Sequence, residues 1–209
     1  MTNPTQQDFV TDLETQLNAS GDDVARLRSQ LAATAQKDGL LDVAFRELDS
    51  PLGTLLVATT ERGVVKVGFE SQGFDSLLSE LAQRVSPRIL SAPARLDNAA
   101  RQLDEYFRGE RREFELELDH QLSRGFRDHV QRQLPRIAYG HTVSYAHLAE
   151  LAGNARAVRA VASACATNPL PIVVPCHRVV RTDGSLGGYL GGLEAKESLL
   201  ALERNGSRN

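Results

Sequence analysis

The sequence has few cysteines and no long apolar run, and each absence excludes a class of protein. Only Cys165 and Cys176 are present among 209 residues. Two cysteines are too few for a disulfide framework, and without a CxxC pair they do not match the usual zinc-binding pattern. The chain contains no run of about 18 uninterrupted apolar residues, which argues against a membrane-spanning helix. At least one thiol is therefore free to react.

The first residues also lack the features of an export signal. Residues 1–8 read MTNPTQQD, without the basic region and the apolar region of a secretory signal. We therefore expect a cytoplasmic protein without membrane association. A hydrophobic content of 41% is enough to bury the core of one large domain or of two small ones.

Acidic side chains outnumber basic ones overall, and the net charge becomes positive only toward the C-terminus. The formal net charge is -3. Residues 1–120 carry 13 basic against 21 acidic side chains, whereas residues 121–209 carry 11 against 6. Because binding to nucleic acid depends on basic residues that contact phosphates, any such surface belongs to the C-terminal part.

Apolar periodicity predicts helices and strands in the first half of the chain. Residues 1–39 contain two apolar segments at helical spacing around a glycine-containing turn, which predicts a short helical hairpin. Three β-rich segments separated by turns follow, and they predict an antiparallel meander. The predicted strands are Val43–Leu48, Thr54–Thr59 and Val64–Phe69, and the predicted helices after them are Phe74–Val85 and Leu96–Arg108, joined by a proline-containing connection over residues 87–93.

Two closely spaced helices are predicted in the basic part of the chain. One spans Ser144–Gly153 and ends at a glycine, and the next spans Ala155–Thr167. Two helices joined by such a short turn are typical of a helix-turn-helix. The same hairpin is common in ordinary protein cores, so this pattern alone does not establish DNA binding.

A cysteine lies within the apolar run PIVVPCHRVV, residues 171–180. The surrounding β-branched residues predict that Cys176 is partly buried. Burial opposes formation of the nucleophilic thiolate, so a reactive thiol needs a base or a positive charge nearby, and His177 and Arg178 are the candidates. Neighbouring side chains of an extended strand face opposite ways, so a Cys176–His177 pair requires a turn or a helix start here. From the residues alone, an inert core cysteine is an equal alternative.

The same run resembles the active-site motif of the O6-alkylguanine-DNA alkyltransferases, also called methylated-DNA–protein-cysteine methyltransferases. The resemblance extends from about Val43 to Glu203 and includes YGHTVSY from residue 139, NARAVRAV from residue 154, NP from residue 168 and GGY from residue 187. It implies an α+β fold. In the implied architecture, an N-terminal three-stranded antiparallel sheet with helices, ribonuclease H-like, precedes a mostly helical domain with a winged helix-turn-helix. The expected domains are a helical extension (1–39), an α/β domain (40–119) and a DNA-binding and active-site domain (120–209).

The resemblance implies DNA repair by direct reversal of damage. Cys176 is expected to take a methyl or alkyl group irreversibly from O6-alkylguanine, with O4-alkylthymine as a further candidate, after the nucleotide flips out of the duplex. Because the thioether product resists hydrolysis, each molecule acts once. The expected partner is double-stranded DNA, contacted in the minor groove by a monomer, largely independently of sequence. No cofactor and no metal is expected.

The resemblance also implies roles for individual side chains. Cys176 is the nucleophile, His177 a base acting through a bridging water, and Glu203 the group that orients the histidine. Asn168 links the helix-turn-helix to the cysteine segment, and Tyr145 acts on the phosphate of the rotating nucleotide and donates to the leaving guanine oxygen. The other implied residues are Arg159, which replaces the flipped base, Ala157 and Arg156 beside it at the DNA, and Pro171, Val179, Tyr189, Leu190 and Gly191 in the substrate pocket.

Two other functions remain open at this point. A cysteine hydrolase could use the same three residues on an acyl substrate, and it would turn over. A DNA-binding regulator could use the cysteine only as a methylation sensor, but residues 1–39 are too short and acidic to be the additional DNA-binding module of such a protein. Cys165 is interpreted as a packing residue, with a second alkyl acceptor as the alternative. The N-terminal hairpin either packs on the sheet or binds a partner or a second copy.

Overall fold

The computed structural model describes residues 23–24, 26–27 and 30–206. The described positions from 23 to 37 are helical, as predicted for the second helix of the hairpin. Ala32 and Ala35 of this helix are buried in the main hydrophobic core, whereas Leu27 and Leu31 are exposed. The first predicted helix of the hairpin lies outside the described residues.

A four-stranded sheet forms the centre of the N-terminal part. The strands are β1 (Val43–Leu48), β2 (Leu55–Thr60), β3 (Gly63–Phe69) and β4 (Ile89–Ser91), in the order β3-β2-β1-β4. β1, β2 and β3 form the predicted antiparallel meander. β4 was not predicted, since it lies in the proline-containing connection. It pairs in parallel with β1 over three residues, so only this long-range contact makes it a strand.

Both faces of the sheet are covered, which explains why β2 and β3 are almost continuously apolar. On one face, α1 (Phe74–Arg84) inserts Leu77 and Leu81 against Leu56 and Val65. On the other face, α2 (Asp97–Phe107) contributes its buried residues to a second, larger core. The sheet is therefore an internal layer between helices.

The C-terminal part contains the predicted helix-turn-helix. Its elements are α3 (Phe126–Gln131), β5 (Val143–Ser144), α4 (Tyr145–Leu151), α5 (Val158–Ala166), β6 (Val179–Val180) and α6 (Gly192–Gly206), with β5 and β6 paired in parallel. The Ser144 hydroxyl accepts from the His147 N–H at 3.0 Å and caps α4. Gly153, at φ 76°, ends the turn after α4. The α+β class is thus confirmed.

The second helix of this motif begins later than predicted. Asn154 holds a turn in which its side chain accepts from the Arg156 N–H at 3.2 Å and its carbonyl accepts from the Ala157 N–H at 2.9 Å. These bonds stabilise a local turn instead of helix, so α5 begins at Val158 rather than Ala155.

The two parts share one core. Residues of α2 and β3 pack in the same hydrophobic cluster as residues of α4, α5 and the cysteine segment. In addition, the Val67 N–H donates to the Pro169 carbonyl at 2.9 Å, directly beside Asn168. The segment that carries Cys176 is therefore packed against the N-terminal part. None of the helices in the described part of the chain has the length and apolar character needed to cross a bilayer.

We predict that Gly63→Ala destabilises the protein more than Gly109→Ala. Both glycines have positive φ, 123° and 74°, but only at Gly63 would an added Cβ overlap the carbonyl of Glu117. Strain together with the overlap should lower the free energy of unfolding by about 3 kcal/mol, against about 1 kcal/mol for Gly109→Ala. Urea unfolding of the two variants measures both values, and equal losses would contradict this account of the turn.

Candidate active site and nucleic-acid interface

Cys176 begins a single turn of 3-10 helix, Cys176–Arg178, directly before β6. This turn meets the condition set by the sequence, because in an extended strand the side chains of Cys176 and His177 would point in opposite directions. Both side chains are buried, with 2% of Cys176 and none of His177 exposed. The thiol is therefore more deeply buried than predicted.

Asn168 connects the end of α5 to the cysteine segment. Its amide nitrogen donates to the Val174 carbonyl at 2.8 Å and to the Cys176 sulfur at 3.2 Å. Its side-chain oxygen accepts from the Leu170 N–H at 3.1 Å. Since Asn168 is 1% exposed, these bonds are protected from water and hold the sulfur in place.

His177 is oriented by Glu203 of α6. The distance between His177 Nε2 and Glu203 Oε1 is 2.8 Å. Because an ionised carboxylate can only accept, Nε2 carries the proton and Nδ1 presents a lone pair. Among the described residues, Nδ1 is buried and has no hydrogen-bond partner. The imidazole is thus arranged to accept a proton through Nδ1.

The Glu203 carboxylate is fully buried and collects donors from several elements. Arg178 donates from Nη2 to Oε1 and from Nε to Oε2, each at 2.9 Å. The Gly140 N–H donates to Oε2 at 3.1 Å, and the Tyr106 hydroxyl donates to Oε1 at 2.7 Å. Burial alone would raise the pKa of Glu203, but the hydrogen bonds from His177 and Arg178 hold it at about 2. Glu203 is therefore a stable anion.

The acid–base state of the site follows from burial. Burial raises the pKa of the Cys176 thiol to about 11, against smaller lowering effects of the Asn168 hydrogen bond and the Lys196 charge. Burial also lowers the pKa of His177 below its ordinary 6.5, despite the opposing effect of Glu203. At neutral pH the thiol keeps its proton and the imidazole is neutral, so the site holds a nucleophile together with an unprotonated base.

Lys196 of α6 is a buried cation beside this cluster. Its ammonium group donates to the Val179 carbonyl at 2.6 Å and to the Gly187 carbonyl at 3.4 Å. It thereby ties β6 to the loop of residues 181–191, which precedes α6.

That loop brings the predicted pocket residues toward the cysteine segment. An added Cβ at Gly187 would overlap the Tyr145 hydroxyl, so only glycine permits this approach. The Tyr189 ring packs edge-on against His177, with 6.3 Å between ring centroids. Burial, reinforced by Cys165 and Cys176, raises the pKa of Tyr145 to about 12, so its hydroxyl remains a proton donor. The other pocket candidates lie on the same segments, with Pro171 and Val179 buried and Leu190 and Gly191 half-buried.

Three of the DNA-binding candidates lie at the exposed start of α5, whereas the Glu203 cluster is buried. Arg156 is exposed in the turn before α5, Ala157 is half-buried at the helix start, and Arg159 is exposed in the first turn of α5. The structure therefore separates an exposed basic helix start from a buried chemical site.

Comparisons with known proteins agree with this arrangement. Residues 43–120 match the family model described as 6-O-methylguanine DNA methyltransferase, ribonuclease-like domain, and residues 125–205 match its DNA binding domain. A methylated-DNA–protein-cysteine methyltransferase of Mycolicibacterium paratuberculosis is 41% identical over 165 residues, which are 79% of this chain and 94% of that relative. This chain belongs to the methylated-DNA–protein-cysteine methyltransferase family. The resemblance stated from the sequence is thereby confirmed.

Other members extend the similarity to a further organism and to a solved structure. The enzyme of the same name from Methanosarcina barkeri is 37% identical, over 77% of this chain and 97% of the relative. The crystal structure of Mycobacterium tuberculosis OGT in complex with DNA is similar at a TM-score of 0.68 and 36% identity, over 78% of this chain and 94% of that chain. Family membership also supports the ribonuclease-like interpretation of the N-terminal domain.

Sequence reasoning missed two polar side chains of this family member's site. Tyr106 lies in the acidic N-terminal part, and only tertiary packing brings its hydroxyl to Glu203. A weak signal was available, since Tyr106 shares the apolar face of α2 with Ala99 and Leu103 and must find a partner for its hydroxyl there. Lys196 gave no comparable signal, because a lysine in an amphipathic helix is normally exposed.

The described residues contain no group of three or more His, Cys, Asp or Glu side chains that could hold a metal ion. Cys165 is buried in α5 and is part of the main hydrophobic core, as its interpretation as a packing residue requires.

We predict that Glu203→Gln lowers the free energy of unfolding by about 3–5 kcal/mol, because it leaves the buried Arg178 guanidinium without its counter-charge. Urea unfolding at pH 7 measures the loss. Glu197→Gln, at an exposed position of the same helix, is the matched control and should change stability by less than about 0.5 kcal/mol. A loss below about 1 kcal/mol for Glu203→Gln would contradict the buried ion pair.

The stability difference between the wild type and Glu203→Gln should depend on pH. The folded-state pKa of about 2 lies below the ordinary 4.5, so the ionised carboxylate stabilises the fold above about pH 4.5. This contribution is lost as the pH falls toward about 2, where Glu203 becomes protonated. Urea titrations at several pH values should show the two proteins converging in acid, and a constant difference would be the opposite result.

Proposed function

We propose that this protein repairs DNA by direct reversal of damage, transferring a methyl or alkyl group from the O6 position of guanine to Cys176. The observation that carries the proposal is the buried relay in which Glu203 holds His177 with its Nδ1 lone pair available while Asn168 holds the sulfur. This is the arrangement that a protonated thiol requires to become a nucleophile. The alkylated-guanine substrate comes from the description of the matching family models.

The proposed transfer is a single displacement at the alkyl carbon. The thiol proton passes to His177 Nδ1 through a bridging water, the Cys176 sulfur bonds to the alkyl carbon, and the bond between that carbon and guanine O6 breaks. The electron pair stays on the guanine, and Tyr145 donates to it as negative charge develops. The proton taken from the thiol is finally returned to Tyr145, so the products are S-alkylcysteine and guanine.

Access to the thiol requires base flipping, because O6 is enclosed in the base stack of duplex DNA. We propose that Arg159 enters the stack from the minor groove in place of the flipped base and that Arg156 contacts the backbone beside it. An exposed position at the start of α5 suits both roles. Ala157 leaves room for the helix start to approach a narrow groove. Such contacts depend little on base sequence.

The remaining details of the proposal concern the substrate and the state of the protein. Pro171, Val179, Tyr189, Leu190 and Gly191 enclose the flipped base. O4-alkylthymine stays a candidate second substrate. The monomeric state, the cytoplasmic location and the domain boundaries at residues 39 and 119 stay predictions.

The direct test uses the full chain and a duplex that carries one O6-methylguanine. We expect one methyl group per protein molecule on the peptide that contains Cys176, detected by mass spectrometry, with no further turnover when DNA is in excess. Cys176→Ser should bind the duplex and accept nothing, whereas Cys165→Ser should accept one methyl group as the wild type does. Repeated turnover would instead favour the cysteine hydrolase, and methylation at Cys165 would exclude the proposed acceptor.

If Arg159 replaces the flipped base, its removal should affect two substrates differently. Arg159→Ala should slow transfer from the duplex roughly 10- to 100-fold, because no side chain would then replace the flipped base in the stack. Transfer from free O6-benzylguanine should be unchanged. Single-turnover rates on both substrates provide the measurement. Arg101→Ala removes an exposed arginine from the acidic N-terminal part and should change neither rate. Equal slowing on both substrates by Arg159→Ala would contradict the proposal that Arg159 replaces the flipped base.

A further inference from the structure

The N-terminal part reaches the relay through one side chain, Tyr106 of α2. Its ring is fully buried. Its hydroxyl lies 2.7 Å from Glu203 Oε1 and 3.5 Å from His177 Nε2. The hydroxyl therefore meets the carboxylate oxygen that also binds the imidazole.

Every other described donor to Glu203 comes from the C-terminal part. His177 and Arg178 lie on one turn, and Gly140 lies in the segment before β5. Without the hydroxyl, Oε1 would lose a short hydrogen bond in a site that bulk water does not reach, and no described donor from the N-terminal part would hold the carboxylate. The orientation of Glu203, and with it that of the His177 imidazole, would be less sharply defined, although the contact between them would remain.

We infer that Tyr106 is a positioning residue of alkyl transfer, which fixes the Glu203 carboxylate in the orientation that makes His177 a base and so makes the N-terminal domain part of the catalytic apparatus. The inference rests on the proposed function. The Tyr106 hydroxyl donates to Glu203, and it acts on the reaction through that carboxylate.

The tyrosine remains a donor at any pH at which the protein works. Burial, together with the negative charge of Glu203, raises the pKa of Tyr106 far above its ordinary value. The ring is held by Phe107, Phe114 and Tyr139, at centroid distances of 5.6, 5.2 and 6.2 Å. A phenylalanine at position 106 would keep these ring contacts and lose only the hydroxyl.

A second contact from the N-terminal part supports the same organisation. Phe69, at the end of β3, packs edge-on against Tyr189 with 5.6 Å between ring centroids. It also lies so close to Gly191 that an added Cβ there would be 2.7 Å from its ring. The N-terminal part thus contacts both the relay, through Tyr106, and the loop that carries the pocket candidates, through Phe69.

The test is Tyr106→Phe, with Tyr139→Phe as the matched control. Tyr139 is a neighbouring buried tyrosine whose hydroxyl has no hydrogen-bond partner among the described residues. Single-turnover transfer from the O6-methylguanine duplex and from free O6-benzylguanine should slow about tenfold on both substrates for Tyr106→Phe, because the defect follows base flipping. The endpoint should remain one alkyl group per protein. Tyr139→Phe should react at the wild-type rate.

The pH profile separates positioning from mere packing. The charged and titratable groups around His177 are Glu203 and Lys196 from α6, Arg178 from its own turn, Tyr106 from α2, and Tyr189 from the loop before α6. Without the Tyr106 hydroxyl, Glu203 Oε1 has one hydrogen-bond donor fewer, so its negative charge is less compensated. The carboxylate then favours a proton on His177 more strongly. The acid limb of the rate profile should therefore move to higher pH in Tyr106→Phe.

Two further variants sharpen the test, and the second of them does not depend on the folding of Tyr106→Phe. In a Glu203→Gln background, Tyr106→Phe should cause little additional slowing, since both changes act through one carboxylate. Replacing Tyr106 by 3-fluorotyrosine nearly preserves volume and strengthens the donor, so the acid limb should move to lower pH.

Each outcome decides between the two claims. A wild type that transfers nothing overturns the proposed function itself. A wild type that transfers, with Tyr106→Phe equal to it in rate and pH profile, overturns only the positioning role. Slowing without a shift of the acid limb, or slowing on the duplex alone, also overturns it, because the hydroxyl would then act through packing or DNA binding. An unshifted limb with 3-fluorotyrosine has the same meaning.

Discussion

The structure depends on one buried negative charge, the Glu203 carboxylate. A fully buried anion is tolerated only when hydrogen bonds and a counter-charge replace its water, and here the donors come from α2, from the segment before β5 and from the turn that begins at Cys176. Satisfying this one group therefore fixes the relative positions of three distant stretches of sequence. The same contacts give the imidazole its orientation, so the interaction that joins the two parts of the fold also prepares the chemistry.

Burial has opposite consequences for the members of the relay. It keeps the Cys176 thiol protonated and the His177 imidazole neutral, whereas the donors around Glu203 keep that carboxylate ionised. A protonated, enclosed thiol is protected from oxidation and from stray electrophiles in solvent. Reactivity then depends on an electrophilic carbon brought into the pocket, where the proton can pass to the base. In the proposed reaction the nucleophile is used once, so this protection keeps the thiol available for its substrate.

Much of the fold could be predicted from the sequence because it is recorded in local patterns. The β-rich segments of β1 to β3 and the capped helix α4 appear close to their predicted positions, and the turn that a Cys176–His177 pair requires is present. β4 could not be predicted, since three residues near prolines become a strand only by pairing with β1. Tyr106 and Lys196 could not be assigned to the site from the sequence for a related reason. Their polar groups find partners that lie 97 and 17 residues away in the chain, and no local pattern records such contacts.

The central claim is that Glu203 holds His177 as a neutral base with its proton on Nε2 and its lone pair on Nδ1. Nitrogen-15 NMR of the histidine-labelled wild-type protein at pH 7, assigned by comparison with His177→Gln, measures this directly. The account predicts a neutral imidazole with a protonated Nε2 and an unprotonated Nδ1, persisting as the pH is lowered below 6.5. An imidazolium at pH 7, or a neutral ring with its proton on Nδ1, would contradict it.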